Sequence, residues 1–171
     1  MNETRYVVPE EDKNRFSAMY NKTEDGGISR APDSVAHQFN FNDWPLKPGG
    51  HGLTSTLDDY MTFARMLVNE GTLNNTTVLR PETVKLMAAN GLEDSVTERS
   101  WLSSKGQVGF GIDFTVRVNP PVSAEENNGV VGDFFWDGAA STLFWVDPVN
   151  ELTVVFFVQL RPYKGSLHKE L

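Results

Sequence analysis

Ser166 and Lys169 stand three residues apart, the first pair here whose types and spacing suggest chemistry. On one turn of helix that spacing brings a hydroxyl and an amine to the same side, as an activated serine requires. The pair falls in the last six residues, where a helix end frays, and it reads as a short helix start rather than a catalytic pair. The sequence has no Gly-x-Ser-x-Gly elbow. Its three histidines, His37, His51 and His168, sit in no local triad signature. His37 and His51 read as polar loop residues. Cysteine is absent, which excludes disulfides, zinc-thiolate sites and thiol nucleophiles. Neither His-Glu-x-x-His nor a calcium-loop pattern occurs. Asp58 and Asp59 read as helix-start acids, and Glu125 and Glu126 as loop solvation. No metal and no cofactor is expected. Gly49-Gly50-His51-Gly52 precedes a helix N-terminus, a place that suits anions, but no Gly-Lys-Ser or Gly-Lys-Thr follows and a tight turn is the simpler reading.

Trp136-Asp137-Gly138-Ala139-Ala140 is different. Small residues inside a strand region let another group approach the backbone closely, and an aromatic beside such a gap forms a pocket wall. A bulge or a tight crossing beneath a helix accounts for the same residues, and local pattern alone leaves the two readings level.

The elements that must position these residues divide the chain at about residue 105. Residues 1–105 are loop and helix. Glu10–Tyr20 reads as one helical stretch with Phe16, Met19 and Tyr20 on its apolar side. Asp25-Gly26-Gly27 is a turn. Residues 54–70 predict the clearest helix, with Ser55 or Thr56 as N-cap, Asp58 and Asp59 in the first turn, and Gly71 as a left-handed cap. Leu57, Tyr60, Met61, Ala64, Leu67 and Val68 recur at helical spacing. Residues 81–90 predict a second helix opened by Pro81, with a turn or hairpin over Leu73–Leu79 between the two. Residues 106–171 change period to two. Strand regions are predicted over Val108–Val118, Phe134–Val146 and Leu152–Leu160, followed by the start of a C-terminal helix. Asp147-Pro148-Val149-Asn150 is a turn, so the second and third regions form an antiparallel hairpin. Leu152–Leu160 is apolar on both faces and is expected inside the sheet. The fold class is α+β: a helical segment followed by a three-stranded antiparallel sheet. Such a sheet has two apolar faces to cover, more than the helices of this chain supply.

Composition narrows the function classes. A net charge of -8 repels phosphate backbones, so no nucleic-acid partner is expected. With 39% hydrophobic and 22% charged residues the chain is a globular one. No apolar run approaches the roughly 20 residues of a membrane span, and Met1–Arg5 does not open a signal peptide. A periplasmic or a cytoplasmic bacterial setting fits equally.

The order and spacing of several motifs then become specific. Gly49 through Tyr60 followed by Leu79-Arg80-Pro81-Glu82-Thr83-Val84 resembles the serine β-lactamase-like superfamily, which holds class C β-lactamases, D-alanyl-D-alanine carboxypeptidases and family VIII carboxylesterases. Gly109-Phe110-Gly111-Ile112, Trp136-Asp137-Gly138-Ala139 and Phe144-Trp145-Val146-Asp147-Pro148 are similar to its esterase-like branch. The opening, Met1 through Pro9 to Arg15 and Tyr20, also resembles the family. The resemblance covers nearly the whole chain and implies part of a β-lactamase/transpeptidase-like fold.

The resemblance implies a function and a division of labour. Family members carry a Ser-x-x-Lys motif, a Tyr-centred motif and a third motif on a sheet strand, written Trp-x-Gly in the esterase-like branch. Trp136-Asp137-Gly138 matches the third. Ala139 falls where the family donates a backbone N–H to the oxyanion hole, with Trp136, Asp137, Gly138 and Ala140 lining the substrate site. Asp137 departs from the usual Gly or Thr, and a carboxylate there disfavours anionic substrates. In the family the first two motifs precede the stretch that starts here at Met1, and Ser166 lies at the wrong end to replace them. The expectation is the C-terminal half of a serine hydrolase acting on a small-molecule ester, amide or β-lactam through an acyl-enzyme, inactive alone. The partners expected are an N-terminal half or another copy of the chain, or no partner at all for a module that keeps only the pocket wall.

Overall fold

The computed structural model describes residues 1–98, 106–123, 126 and 129–163. A 3-10 segment, Glu10–Arg15, leads to a hairpin of β1 (Tyr20–Lys22) and β2 (Ile28–Arg30). The helix expected over Glu10–Tyr20 is therefore corrected. The 3-10 segment buries no side chain, so nothing rewards its extension. Phe16 instead turns extended and packs edge-on against His37 and Phe41. A single helical turn, α1 (Asp33–Ala36), follows.

The long helix is α2 (Leu57–Val68), and its start is held by side chains. The Thr56 hydroxyl accepts from the Asp59 N–H at 3.2 Å. Asp59 Oδ2 in turn accepts from the Glu3 N–H at 2.8 Å and the Thr4 hydroxyl at 3.0 Å, tying the opening segment to the helix. Gly71 closes the helix with a φ of 89° and donates to the Met66 carbonyl at 2.8 Å. A Cβ there would collide with the Leu79 carbonyl, so both conformation and space require glycine. A small hairpin, β3 (Thr72–Leu73) and β4 (Thr76–Thr77), turns on Asn74 and Asn75, both with positive φ as the tightest hairpin turn demands. Then comes α3 (Pro81–Met87), opened by its proline.

The sheet half departs from the sequence reading. It is a five-stranded antiparallel sheet in sequence order: β5 (Val108–Phe110), β6 (Thr115–Arg117), β7 (Phe134–Asp137), β8 (Leu143–Asp147) and β9 (Leu152–Phe156). The three-stranded expectation is corrected because two of its strands are hairpins. Val108–Val118 folds back at Gly111–Phe114, where Asp113 takes a φ of 69°. Phe134–Val146 folds back at Gly138–Thr142, where Ser141 also takes 69°. The turn after β8 is as expected, with Asp147 Oδ1 accepting from the Val149 and Asn150 N–H groups.

Among the described residues, β9 is the last strand of the sheet rather than an interior one, and its apolar character on both faces has another cause. Val155 packs with Met66, Leu67, Val84, Phe134, Phe144 and Val146 under α2 and α3, while Phe156 packs with Val108, Phe135 and Leu143 on the opposite face. After β9 the chain leaves the sheet, and β10 (Leu160–Arg161) pairs in parallel with β1. Among the described residues no helix is long and apolar enough to cross a membrane.

Candidate functional site

Trp136 through Ala140 occupies the end of β7 and the turn into β8. The last register pair of the two strands is Asp137 with Leu143. Beyond it the Gly138 N–H donates to the Thr142 carbonyl at 3.0 Å, and the Ser141 N–H returns to the Gly138 carbonyl at 2.8 Å. With Ser141 left-handed, this is a three-residue hairpin connection closed by a bulge. The expected strand centre is thus a turn. The small residues are there because the chain reverses within them, and a Cβ on Gly138 would strike the Thr142 hydroxyl.

This turn exposes Ala139, and the Ala139 N–H donates to nothing among the described residues. Trp136 lies 44% exposed, with its ring edge-on to Phe110 at 5.4 Å. Phe110 is itself fixed from behind. Its N–H donates to Asn90 Oδ1 at 3.2 Å, its carbonyl accepts from the Gly91 N–H at 2.8 Å, and the Ile112 N–H donates to the Met87 carbonyl at 2.9 Å. Gly109 and Gly111 allow that approach, since a Cβ at either would meet Asn90 or the Met87 carbonyl. The Gly-Phe-Gly-Ile motif therefore seats the end of α3 against β5, and through Phe110 it supports Trp136.

Asp137 is half-buried and accepts at Oδ2 from the Tyr163 hydroxyl at 2.7 Å. Ala140 and Ser141 meet the same segment. The Leu160 N–H donates to the Ala140 carbonyl at 2.9 Å, and the Ser141 hydroxyl donates to the Leu160 carbonyl at 2.9 Å. Sequence reasoning missed Ser141, Leu160, Tyr163 and Phe110. Ser141 lies inside the run read as one strand, and nothing in the sequence marks it as the closing residue of a turn. Nothing near Tyr163 in the sequence points to Asp137.

The other candidates lie elsewhere. His37 is buried between Phe16 and Phe41, and His51 rests beside Phe39. They share no site. Gly52, at a φ of 98°, packs on Phe39 and its carbonyl accepts from Asn40 Nδ2, which fits the tight-turn reading. Asp59 serves the helix start. Among the described residues no group of three or more histidines and carboxylates is placed to hold a metal. Ser166, His168 and Lys169 lie outside the described residues. A braced hairpin turn presenting an unused N–H beside an exposed indole can hold a developing negative charge and one apolar group.

A family model described as Beta-lactamase matches residues 1–170. Protein Rv1367c of Mycobacterium tuberculosis is 32% identical over 168 residues, which is 95% of this chain and 40% of that protein. A mutant of simvastatin synthase (LovD) from Aspergillus terreus superposes with a TM-score of 0.80 at 20% identity, over 98% of this chain and 43% of the other. EstCE1, a hydrolase with promiscuous acyltransferase activity, superposes at 0.65 and 19%, over 92% and 41%. A penicillin-binding protein homologue from Caulobacter crescentus superposes at 0.60 and 16%, over 93% and 43%. These structural likenesses speak for the fold. The chain spans about 40% of the length of the curated relatives it matches. With the matched model running over nearly every residue, this chain belongs to the beta-lactamase family.

Proposed function

We propose that this chain forms the pocket wall and one oxyanion donor of a serine acyl-transfer site, with the nucleophile supplied by polypeptide outside these 171 residues. The serine oxygen attacks the carbonyl carbon of an ester or amide, and the carbonyl oxygen becomes an oxyanion facing the Ala139 N–H. The carbon–oxygen or carbon–nitrogen bond then breaks, the alcohol or amine leaves with the serine proton, and water releases the acyl group. Trp136, Gly138 and Ala140 line the acyl side. The Asp137 carboxylate favours neutral esters and amides over anionic β-lactams. The observation that carries this reading is the Ala139 N–H, exposed and without a partner among the described residues, on a turn fixed at both ends. Such a donor contributes only where charge develops.

The test is nitrophenyl-ester turnover by the 171-residue chain alone and by the chain joined to the polypeptide encoded upstream of it. The chain alone is expected to be silent. The joined protein, called the assembled enzyme below, is expected to turn over and to lose activity when the serine of its Ser-x-x-Lys motif is replaced by alanine. Turnover by the chain alone that Ser166→Ala abolishes would overturn the reading, as would an assembled enzyme without turnover.

A second reading rests on β9. It is a sheet edge with Leu152 47% exposed and no strand beside its outer side among the described residues. Such an edge accepts another strand, from further polypeptide or from a second copy of the chain. Size-exclusion with light scattering separates these: a concentration-dependent dimer supports self-pairing, and a monomer at all concentrations argues against it.

A further inference from the structure

We propose that Tyr163 and Ser141 are positioning residues for the Ala139 N–H, a role that rests on the acyl-transfer reading above. The turn's own two hydrogen bonds, Gly138 to Thr142 and Ser141 to Gly138, set its shape. They do not set its direction. Residues 138–141 lie past the last register pair of β7 and β8, and a hairpin tip with only local bonds sways about that pair. Three bonds from one distant segment remove that freedom. The Tyr163 hydroxyl reaches Asp137 from 26 residues away, and the Ser141 hydroxyl reaches Leu160 from 19 residues away. The Leu160 N–H takes the Ala140 carbonyl at 2.9 Å. The bonds fall on both sides of Ala139, so the peptide that carries its N–H is held from residue 137 and from residues 140–141.

The brace is itself anchored. Leu160 and Arg161 pair with Tyr20 and Asn21 of β1, and the Tyr20 N–H donates to the Gln159 carbonyl at 2.8 Å. Ser141 is 3% exposed and left-handed, which aims its hydroxyl inward at Leu160 rather than at solvent. An oxyanion donor acts through position, and a displacement of about 1 Å lowers rate by up to about a hundredfold. Tyr163 and Ser141 touch no reacting atom in this arrangement. They act through Asp137, Leu160 and the turn.

The full chain, labelled with nitrogen-15, tests this by backbone relaxation. Ala139 is expected to be as ordered as Phe144 and Val146. In Tyr163→Phe and in Ser141→Ala its order parameter should fall from about 0.85 to below about 0.6 while the β8 amides stay unchanged. Asp137→Asn keeps an acceptor for the tyrosine and should preserve the order, whereas Asp137→Ala should lose it; this pair decides the question should Tyr163→Phe fail to fold. In the assembled enzyme, Tyr163→Phe should lower kcat about tenfold with KM within about twofold, because the donor is engaged chiefly in the transition state. An unchanged Ala139 order parameter in Tyr163→Phe, or a raised KM with kcat intact, overturns the proposal. A wild-type assembled enzyme without ester turnover overturns the acyl-transfer reading instead, and the relaxation measurement still decides the brace.

Discussion

Arg117 on β6 and Asp133 ahead of β7 face each other 3.4 Å apart with side chains only 2% and 1% exposed. The Trp145 indole donates to the other Asp133 oxygen at 3.0 Å. Burial pushes the Asp133 carboxyl up, and Arg117 and the indole pull it back. Gly129 closes over the pair, where a Cβ would strike both side chains. Removing one partner leaves the other charge buried. Asp133→Ala should cost about 3–5 kcal/mol, and the double replacement Arg117→Met with Asp133→Leu should cost clearly less. Urea denaturation of the two variants against the wild type checks this, and equal losses would refute it.

The start of α2 should carry acid sensitivity. Desolvation is the largest single influence on Asp59 and raises its pKa. The Glu3 N–H, the Thr4 hydroxyl and nearby positive charge together outweigh it and hold the carboxyl below its usual value. A carboxyl depressed in the folded state stabilises fully above its unfolded pKa and loses that contribution as pH falls through the folded one. Stability should therefore decline below the ordinary carboxylate range, and Asp59→Asn should flatten that decline. Thermal midpoints across an acid series provide the measurement. Thr56→Ala should remove about 1 kcal/mol at neutral pH.

Gly111 should tolerate no side chain. A Cβ there would meet the Met87 carbonyl, a backbone atom that moves only with the end of α3. Gly111→Ala should cost about 1–3 kcal/mol. Gly49, with open space around it, should accept alanine with little effect. Thermal denaturation of both variants separates a packing requirement from a general intolerance of alanine.

Ala139→Pro separates donation from folding. Ala139 occupies the second position of its turn, where proline is well accommodated, and its N–H makes no bond among the described residues. The variant should fold with stability within about 1 kcal/mol of wild type. In the assembled enzyme its kcat should fall about a hundred- to a thousandfold, the loss expected for one oxyanion donor. Retained turnover would remove Ala139 from the mechanism.

Asp137→Gly tests substrate charge. Removing the carboxylate should raise turnover of an anionic β-lactam relative to a neutral nitrophenyl ester in the assembled enzyme by about tenfold. An unchanged ratio would show that Asp137 sets no charge preference.

What was legible in the chain was local. Thr56, Asp59 and Gly71 bound α2 by bonds within one or two turns, and Pro81 and the Asn74-Asn75 pair act through their own dihedral preferences. The Trp136–Ala140 segment stood out by composition, and the role proposed for it comes from the resemblance in motif order. The two hairpins were not legible, because alternation persists through Gly111–Phe114, and the small residues of Gly138–Thr142 fit a bulge or a close approach within one strand. Each run reads as one strand although it folds back on itself. The edge position of β9 was hidden for a related reason: apolar residues on both faces report two cores, and say nothing of which strands lie alongside. Least legible was the brace of Tyr163 and Leu160 on the turn. It joins groups 19 to 26 residues apart through a segment anchored on β1, and hydrogen bonds of that range leave no periodic trace in a sequence. Short-range capping and burial patterns are encoded residue by residue, whereas the orientation of a donor N–H exists only once distant strands have paired.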